Sequence, residues 1–384
     1  MHTAHQPDGA PHQPSDAGPQ NHLADFALAG LHAPHLDDPL SPTDPNLPPL
    51  GWGVVGPGAI ATRVVPDIAL LPDARLVAVS SRSARRARQF AADHGFQRSY
   101  WDGAPGTENL TGVRALAQDP EVEVVYVASP HGYHHQHVAE LLLAGKHVLC
   151  EKALAVSAAE VRDLVDLAQQ HGCLLMEAVW TAMTPGFRRV MHIVNSGRLG
   201  TVLSVTGAIG FNATPDPQHR LFSPADGGGV TLDMVVYPLL YSDAIQAEVL
   251  QRCVVGHIGP TGVDDDLALQ LERTGGCAHI SATLRRVPAT GVTLSATQGW
   301  LRVEGRLNNP ASLEWMTDQR HSNGLGPVIE TITTVGAGYV PQIREATRCI
   351  RAGLLESPFV PWEDSLTRAQ LFDAIRADLG LTTH

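Results

Sequence analysis

Cysteine is scarce in this 384-residue chain, and what there is does not look arranged to pair or to chelate. The five cysteines, Cys150, Cys173, Cys253, Cys277 and Cys349, are odd in number and widely spaced, with no CxxC. That excludes a disulfide framework and fits reduced, mostly buried thiols. Basic charge is also short: 27 Lys and Arg stand against 39 Asp and Glu, a formal net charge of -12. Nucleic acid and anionic membranes reward a basic surface, so neither is expected as a partner. No apolar run reaches the length of a bilayer span. The N-terminus shows neither a basic stretch leading into an apolar one nor a twin arginine, so no export signal is read and a cytoplasmic protein is expected.

What is present falls into three parts. Residues 1–50 are dense in Pro, His, Asp and Gly, with only a weak apolar patch at 23–31. Such a composition buries too little surface to offset its ordering entropy, and a disordered or loosely docked arm is expected. Residues 51–174 alternate short buried strands (51–56, 76–80, 122–128, and one ending at Cys150) with helical stretches, the pattern of a parallel, doubly wound sheet. Ser157-Ala158-Ala159-Glu160 is a capping box for a helix that Gly172 is placed to end. From about residue 200, strands follow one another without obvious helices. Residues 175–384 therefore read as an α+β domain with a large, mostly antiparallel open sheet. The expected class is α/β, and the last helix is expected to pack back on the first domain.

Gly56-Pro57-Gly58-Ala59-Ile60-Ala61 is a G-x-G-x-x-A sequence at the first strand-to-helix junction. Gly56 permits the tight turn, Gly58 lets a pyrophosphate approach the backbone, and Ala61 is small enough for close helix packing. The helix start, at Ala59 and Ile60, then faces the phosphate charge. A dinucleotide site follows. At the end of the second strand, where a carboxylate would bind the ribose hydroxyls of NAD, the chain has Ser81-Arg82-Ser83. Hydroxyls and a guanidinium suit a 2′-phosphate, so NADP is expected, with NAD as the alternative.

The run His131-Gly132-Tyr133-His134-His135-Gln136-His137 invites a metal reading. Adjacent histidines cannot point the same way from a regular element, and no Cys or carboxylate completes a tetrahedral set, so no metal is expected.

With Gly56-Pro57-Gly58, Ser129-Pro130, His134, residues 144–148 (AGKHV) and Glu151-Lys152 in this order, the chain resembles the Gfo/Idh/MocA oxidoreductases. Residues 176–181 (MEAVWT), 219–222 (HRLF) and 232–238 (LDMVVYP) are similar to its branch of dimeric dihydrodiol and NADP-dependent D-xylose dehydrogenases. The resemblance implies that Ser129, Pro130, His134, Glu151, Lys152 and Trp180 lie against the cofactor. It implies Tyr237 as the acid/base, Lys152 as its electrostatic partner, and Asp233 as the group that orients them or binds a substrate hydroxyl. An ammonium near a carbinol oxygen stabilises developing alkoxide charge. The spacing of four puts Asp233 and Tyr237 on one face if a single helix carries both. The implied substrate is a sugar, polyol or cyclic diol. The implied assembly is a homo-oligomer, a dimer or dimer of dimers, through the C-terminal sheet. Two positions depart from the family pattern: Ala153 stands where Pro usually follows the lysine, and Ala182 where Arg usually follows Trp-Thr. They support one other reading, a non-catalytic NADP-binding sensor or scaffold; the resemblance itself implies a second, a glycoside hydrolase working by transient oxidation, as in some relatives of the family.

Overall fold

The computed structural model describes residues 33–106, 110–245 and 248–381. Six strands form the first sheet: β1 (Leu50–Val55), β2 (Ala74–Ser81), β3 (Arg98–Trp101), β4 (Val124–Val127), β5 (His147–Glu151) and β6 (Leu175–Ala178). Their order is β3-β2-β1-β4-β5-β6, and every pairing is parallel. The central strands β1 and β4 are valine-containing and buried throughout, as a sheet covered on both faces requires, while the edge strand β3 is half-buried. The order reverses between β1 and β4, so a crevice opens beyond their C-terminal ends.

Helix α1 (Ala59–Ala69) follows β1, and α2 (Ala84–His94) follows β2. Helices α3 (His134–Leu143) and α4 (Ala158–His171) follow β4 and β5. The Ser157 side chain accepts from the Glu160 N–H, and Gly172 ends α4 in the left-handed conformation. The sequence reading closed this domain at residue 174. The structure carries it through Ala178, because β6 pairs with β5 along Val148–Glu151.

The second sheet has eight strands: β7 (Val202–Gly210), β8 (Val249–Ile258), β9 (Asp264–Arg273), β10 (Gly276–Thr283), β11 (Gly291–Ala296), β12 (Gly299–Glu304), β13 (Ser312–Thr317) and β14 (Val328–Thr331). The order is β14-β13-β12-β11-β7-β10-β9-β8; only β7 with β10 is parallel, so the sheet is mostly antiparallel, as expected. Alternation sets its faces: Leu267, Leu269 and Leu271 of β9 are buried, while Ala268, Gln270 and Glu272 point outward. Helices α5 (Pro185–Asn195) and α6 (Val236–Ser242) lie on the buried side. Helix α6 comes so close to β7 that a Cβ on Gly207 would sit 2.7 Å from Pro238 Cβ. Among the described residues no helix is long and apolar enough to cross a membrane.

Two C-terminal helices, α7 (Val340–Arg351) and α8 (Trp362–Asp378), return to the first domain. On α8, Trp362 Nε1 donates to the Leu175 carbonyl at 2.8 Å, and Ser365 and Arg368 donate to Glu177 at 2.7 and 2.8 Å.

The N-terminal arm needs correction over its described part. Residues 33–49 run across α7, with a short helix (Pro34–Asp37) and a buried Leu36. The fully buried Arg344 of α7 donates to the Pro39 carbonyl at 2.9 Å, to Thr43 Oγ1 at 3.0 Å and to Asp73 Oδ2 at 2.5 Å. His35 pairs with Glu345 at 2.7 Å. A polar segment is docked here by specific bonds to buried charges, a mechanism that mean composition does not register. The rest of the arm, residues 1–32, lies outside the described residues.

Candidate active site

A cleft of about 890 Å³ lies between the two sheets. Its floor is the glycine turn after β1. Gly56 has φ +87, and a Cβ there would fall 2.8 Å from the Ser129 nitrogen, so side-chain-free backbone is required. Gly58 has no neighbour nearer than 4.0 Å where a Cβ would be, which leaves open space above the backbone. Gly58 is also the N-cap of α1 and supplies no side-chain cap, so the first N–H groups of α1, from Ala59 and Ile60, remain for an anion. These residues fit the pyrophosphate of a dinucleotide.

At the far end of β2, Ser81, Arg82 and Arg86 line the cleft. The Arg82 guanidinium lies 5.1 Å from the centre of the Tyr133 ring, which itself stacks on His137 at 5.9 Å. Arg86 donates to the Pro57 carbonyl at 3.0 Å, tying this end to the glycine turn. Ser83 does not line the cleft; its hydroxyl caps α2 by accepting from the Arg86 N–H. Ser129 and Pro130 line the opposite wall.

The reacting end is built where β5 stops. Glu151 is buried and accepts from the Tyr126 hydroxyl at 2.6 Å; burial raises its pKa against the opposing pull of that bond and of Lys152. The next residue, Lys152, turns its ammonium across the cleft. Nζ donates to the Asp233 carbonyl at 2.5 Å and to Asp233 Oδ1 at 3.3 Å, and lies 5.1 Å from the centre of the Tyr237 ring. Burial alone would lower the lysine pKa, but Asp233, then Tyr237 and Glu151, outweigh it and hold the ammonium protonated. Burial likewise pushes Asp233 up, yet Lys152 and Arg220 hold it well below the carboxylate range. The Lys152–Ala153 peptide is cis.

The structure thus brings Lys152, Asp233 and Tyr237 together, though not through one helix. Asp233 ends a short helix (Val230–Asp233), the chain breaks at Met234, and Tyr237 lies in α6. Arg220 was not foreseen: it donates to Asp233 Oδ1 at 3.0 Å from the 3₁₀ turn Arg220–Phe222. A basic residue in a short motif was its only sequence signal.

Two expected cofactor contacts are placed elsewhere. Trp180 does not line the cleft; it packs in the core against Tyr339, 4.3 Å between ring centres, and Ala182 is buried in the same turn. His134 is fully buried behind the wall, with Nδ1 2.8 Å from the Ala153 carbonyl and Nε2 2.7 Å from the Ser129 carbonyl. The histidine run serves structure: His135 pairs with Asp163 and His137 with Ser129 Oγ. Both nitrogens of His131 face carbonyls, those of Lys152 and Gly227, each at 2.9 Å. Neither His131 nor His134 has a ring nitrogen left to exchange a proton with a substrate.

A parallel sheet with a glycine turn at its switch point, facing an ammonium, a carboxylate and a phenol across one cleft, defines a dinucleotide-dependent oxidoreductase. The model of the oxidoreductase family with an NAD-binding Rossmann fold, Gfo/Idh/MocA, matches residues 50–179, and that of the Gfo/Idh/MocA C-terminal domain matches residues 187–302. Trans-1,2-dihydrobenzene-1,2-diol dehydrogenase of Bos taurus is 30% identical over 87% of this chain and 98% of its own. D-xylose 1-dehydrogenase (NADP(+)) of Hypocrea jecorina is 30% identical over 87% of this chain and 93% of its own. Among solved structures, aldose-aldose oxidoreductase from Caulobacter crescentus superposes with a TM-score of 0.75 at 22% identity, covering 87% of this chain and 99% of that one. The chain belongs to the Gfo/Idh/MocA family and is an enzyme of NAD(P)-linked oxidation and reduction.

Proposed function

We propose that this enzyme uses NADP to interconvert a carbinol and a carbonyl on a sugar, polyol or cyclic diol, with Tyr237 as acid/base. The observation that carries the reading is Lys152 Nζ, held between the Asp233 carboxylate and the face of the Tyr237 ring at the cleft wall. The nicotinamide, when bound, supplies or takes the hydride. In oxidation, Tyr237 takes the proton from the carbinol oxygen, and the Lys152 ammonium stabilises the negative charge that develops there. Both cations that reach the Asp233 carboxylate use Oδ1. Oδ2 is left to accept from a second hydroxyl of the substrate, which favours vicinal diols. That geometry agrees with the names of the relatives, a dihydrodiol dehydrogenase and a xylose dehydrogenase.

NADP over NAD rests on Ser81, Arg82 and Arg86 around the end of β2. Reduced thiols and a cytoplasmic setting are supported by five cysteines with no disulfide among them. Assembly through the second sheet is supported by the exposed Val255 on β8, and by Leu203 on β7.

The test is a screen of sugars, polyols and diols with NADP, read at the nicotinamide absorbance. A vicinal polyol or diol turned over faster than any simple alcohol is expected. Turnover confined to simple alcohols, or none with any hydroxylated substrate, defeats the reading.

A further inference from the structure

We propose that His131 is a positioning residue that fixes Lys152 against Asp233 by bridging the two domains. The proposal rests on the reading of Lys152 and Tyr237 as the reacting pair. His131 lies in the turn His131–Tyr133 between β4 and α3, and 5% of it is exposed. Its Nε2 is 2.9 Å from the carbonyl of Lys152, in its own domain. Its Nδ1 is 2.9 Å from the carbonyl of Gly227, in the other domain. Gly227 opens the glycine run that leads directly into the helix Val230–Asp233. One imidazole is therefore wedged between the backbone of the lysine and the loop that delivers its carboxylate, in contact with both and hydrogen-bonded to one of them.

The seam is built for this contact from both sides. A Cβ on Gly227, which has φ +69, would sit 2.7 Å from His131 Cβ. A Cβ on the adjoining Gly132 would sit 2.1 Å from the Ala225 carbonyl oxygen. Backbone meets backbone only because both positions lack a side chain. His134 reinforces the same loop one residue later, through the Ala153 carbonyl, and its ring stands 5.5 Å from that of His131 in an edge arrangement. Burial, then His134 and Lys152, press the His131 pKa down to about 3, so the ring is neutral and carries one N–H: it donates to one of the two carbonyls and is held against the other by packing, and it is not a proton carrier.

The experiment uses the full chain and a polyol or diol substrate found for the native enzyme. His131→Ala should lower kcat by roughly 10- to 100-fold, the scale of a sub-ångström to ångström misplacement of a reacting group, with NADP affinity and substrate KM within about 3-fold of native. In a Lys152→Ala background the same substitution should lower kcat no further, since His131 acts through that lysine. His131→Asn and His131→Gln each keep a side-chain N–H that can donate to one of the two carbonyls and should fall between Ala and native. Gly132→Ala, which forces the seam open without touching the imidazole, should reproduce the kcat loss. Native kcat in His131→Ala, a loss multiplying fully with that of Lys152→Ala, or an equal loss of NADP affinity would overturn the proposal. If His131→Ala does not fold, the Asn, Gln and Gly132→Ala variants carry the same comparison. A native enzyme that turns over normally after Lys152→Ala instead removes the underlying reading, which separates the two failures.

Discussion

Asp233 and Glu345 are both buried carboxylates facing cations, yet they are finished differently. Glu345 is saturated. Its Oε1 accepts from Arg348, Ser357 and the Cys349 thiol, and its Oε2 from Arg348 and His35. Asp233 receives Lys152 and Arg220 on the same oxygen, Oδ1, and that carboxylate borders the 890 Å³ cleft. The difference teaches where function sits. A buried charge whose lone pairs are all used is a structural joint, because nothing remains for a ligand to take. One with an oxygen left over at a cavity wall is poised to bind. The arginines divide in the same way: Arg348 is bidentate on Glu345, whereas Arg82 has a single 3.4 Å contact to the Tyr133 hydroxyl.

The sharpest way to break this comparison is at the cleft. Tyr237→Phe and Lys152→Ala should each reduce kcat by about 10²- to 10⁴-fold with NADP affinity nearly native, and Tyr237→Phe should also keep the thermal midpoint. The double variant should be little worse than the poorer single one. A Tyr237→Phe enzyme with native turnover would show that the proton is carried elsewhere. At the joint the expectation reverses. Glu345→Ala leaves Arg348 and His35 without their anion and should destabilise folding by about 3 kcal/mol, the lower end for a broken buried pair because Arg348 keeps some exposure. The folded fraction should turn over normally. A loss of kcat there without loss of stability would erase the distinction between the two carboxylates.

Arg82 sharpens it from the cation side. Arg82→Ala should weaken NADP binding by roughly 1.5–3 kcal/mol, a charge-assisted contact, while NAD binding changes little and the melting point holds. Isothermal titration with both cofactors measures this, and native affinity for NADP in the variant would mean that Arg82 faces solvent only.

What the sequence made legible follows the same division. The turn at Gly56 and Gly58 was readable because local backbone chemistry dictates it: a tight turn and a close approach. Lys152, one residue past the end of β5, was placed in the cleft by resemblance. Asp233 and Tyr237 were paired by resemblance and by their spacing of four, and neither announced the break at Met234 that puts them on two helices. Trp180 and His134 were assigned to the cofactor by resemblance, and their positions depend on distant partners, Tyr339 and the Ala153 carbonyl, that no local pattern announces. The docking of residues 33–49 was invisible for the same reason. Its anchors are Arg344, Glu345 and Asp73, and a proline-rich segment reads as unstructured until those buried charges are in view.

That docked segment yields the smallest effect and the most specific one. His35 Nε2 lies 2.7 Å from Glu345 Oε2, with its side chain 22% exposed. Burial raises the Glu345 pKa, but Arg348, His35 and Ser357 outweigh it and bring it down to about 2. A carboxyl whose folded pKa is depressed stabilises the fold above its unfolded value and loses that contribution as pH falls through the folded value. The window here is from about 4.5 down to about 2. His35→Ala should therefore destabilise the protein by about 1 kcal/mol at neutral pH, one partly exposed hydrogen bond to a carboxylate. The gap between variant and native should close as pH drops through that window, because the protonated carboxyl no longer rewards the donor. Urea unfolding of both proteins at several pH values measures the gap. A difference that stays constant from pH 7 to pH 2 would mean that His35 contributes packing against Phe359, 6.0 Å between ring centres, and not its bond to Glu345.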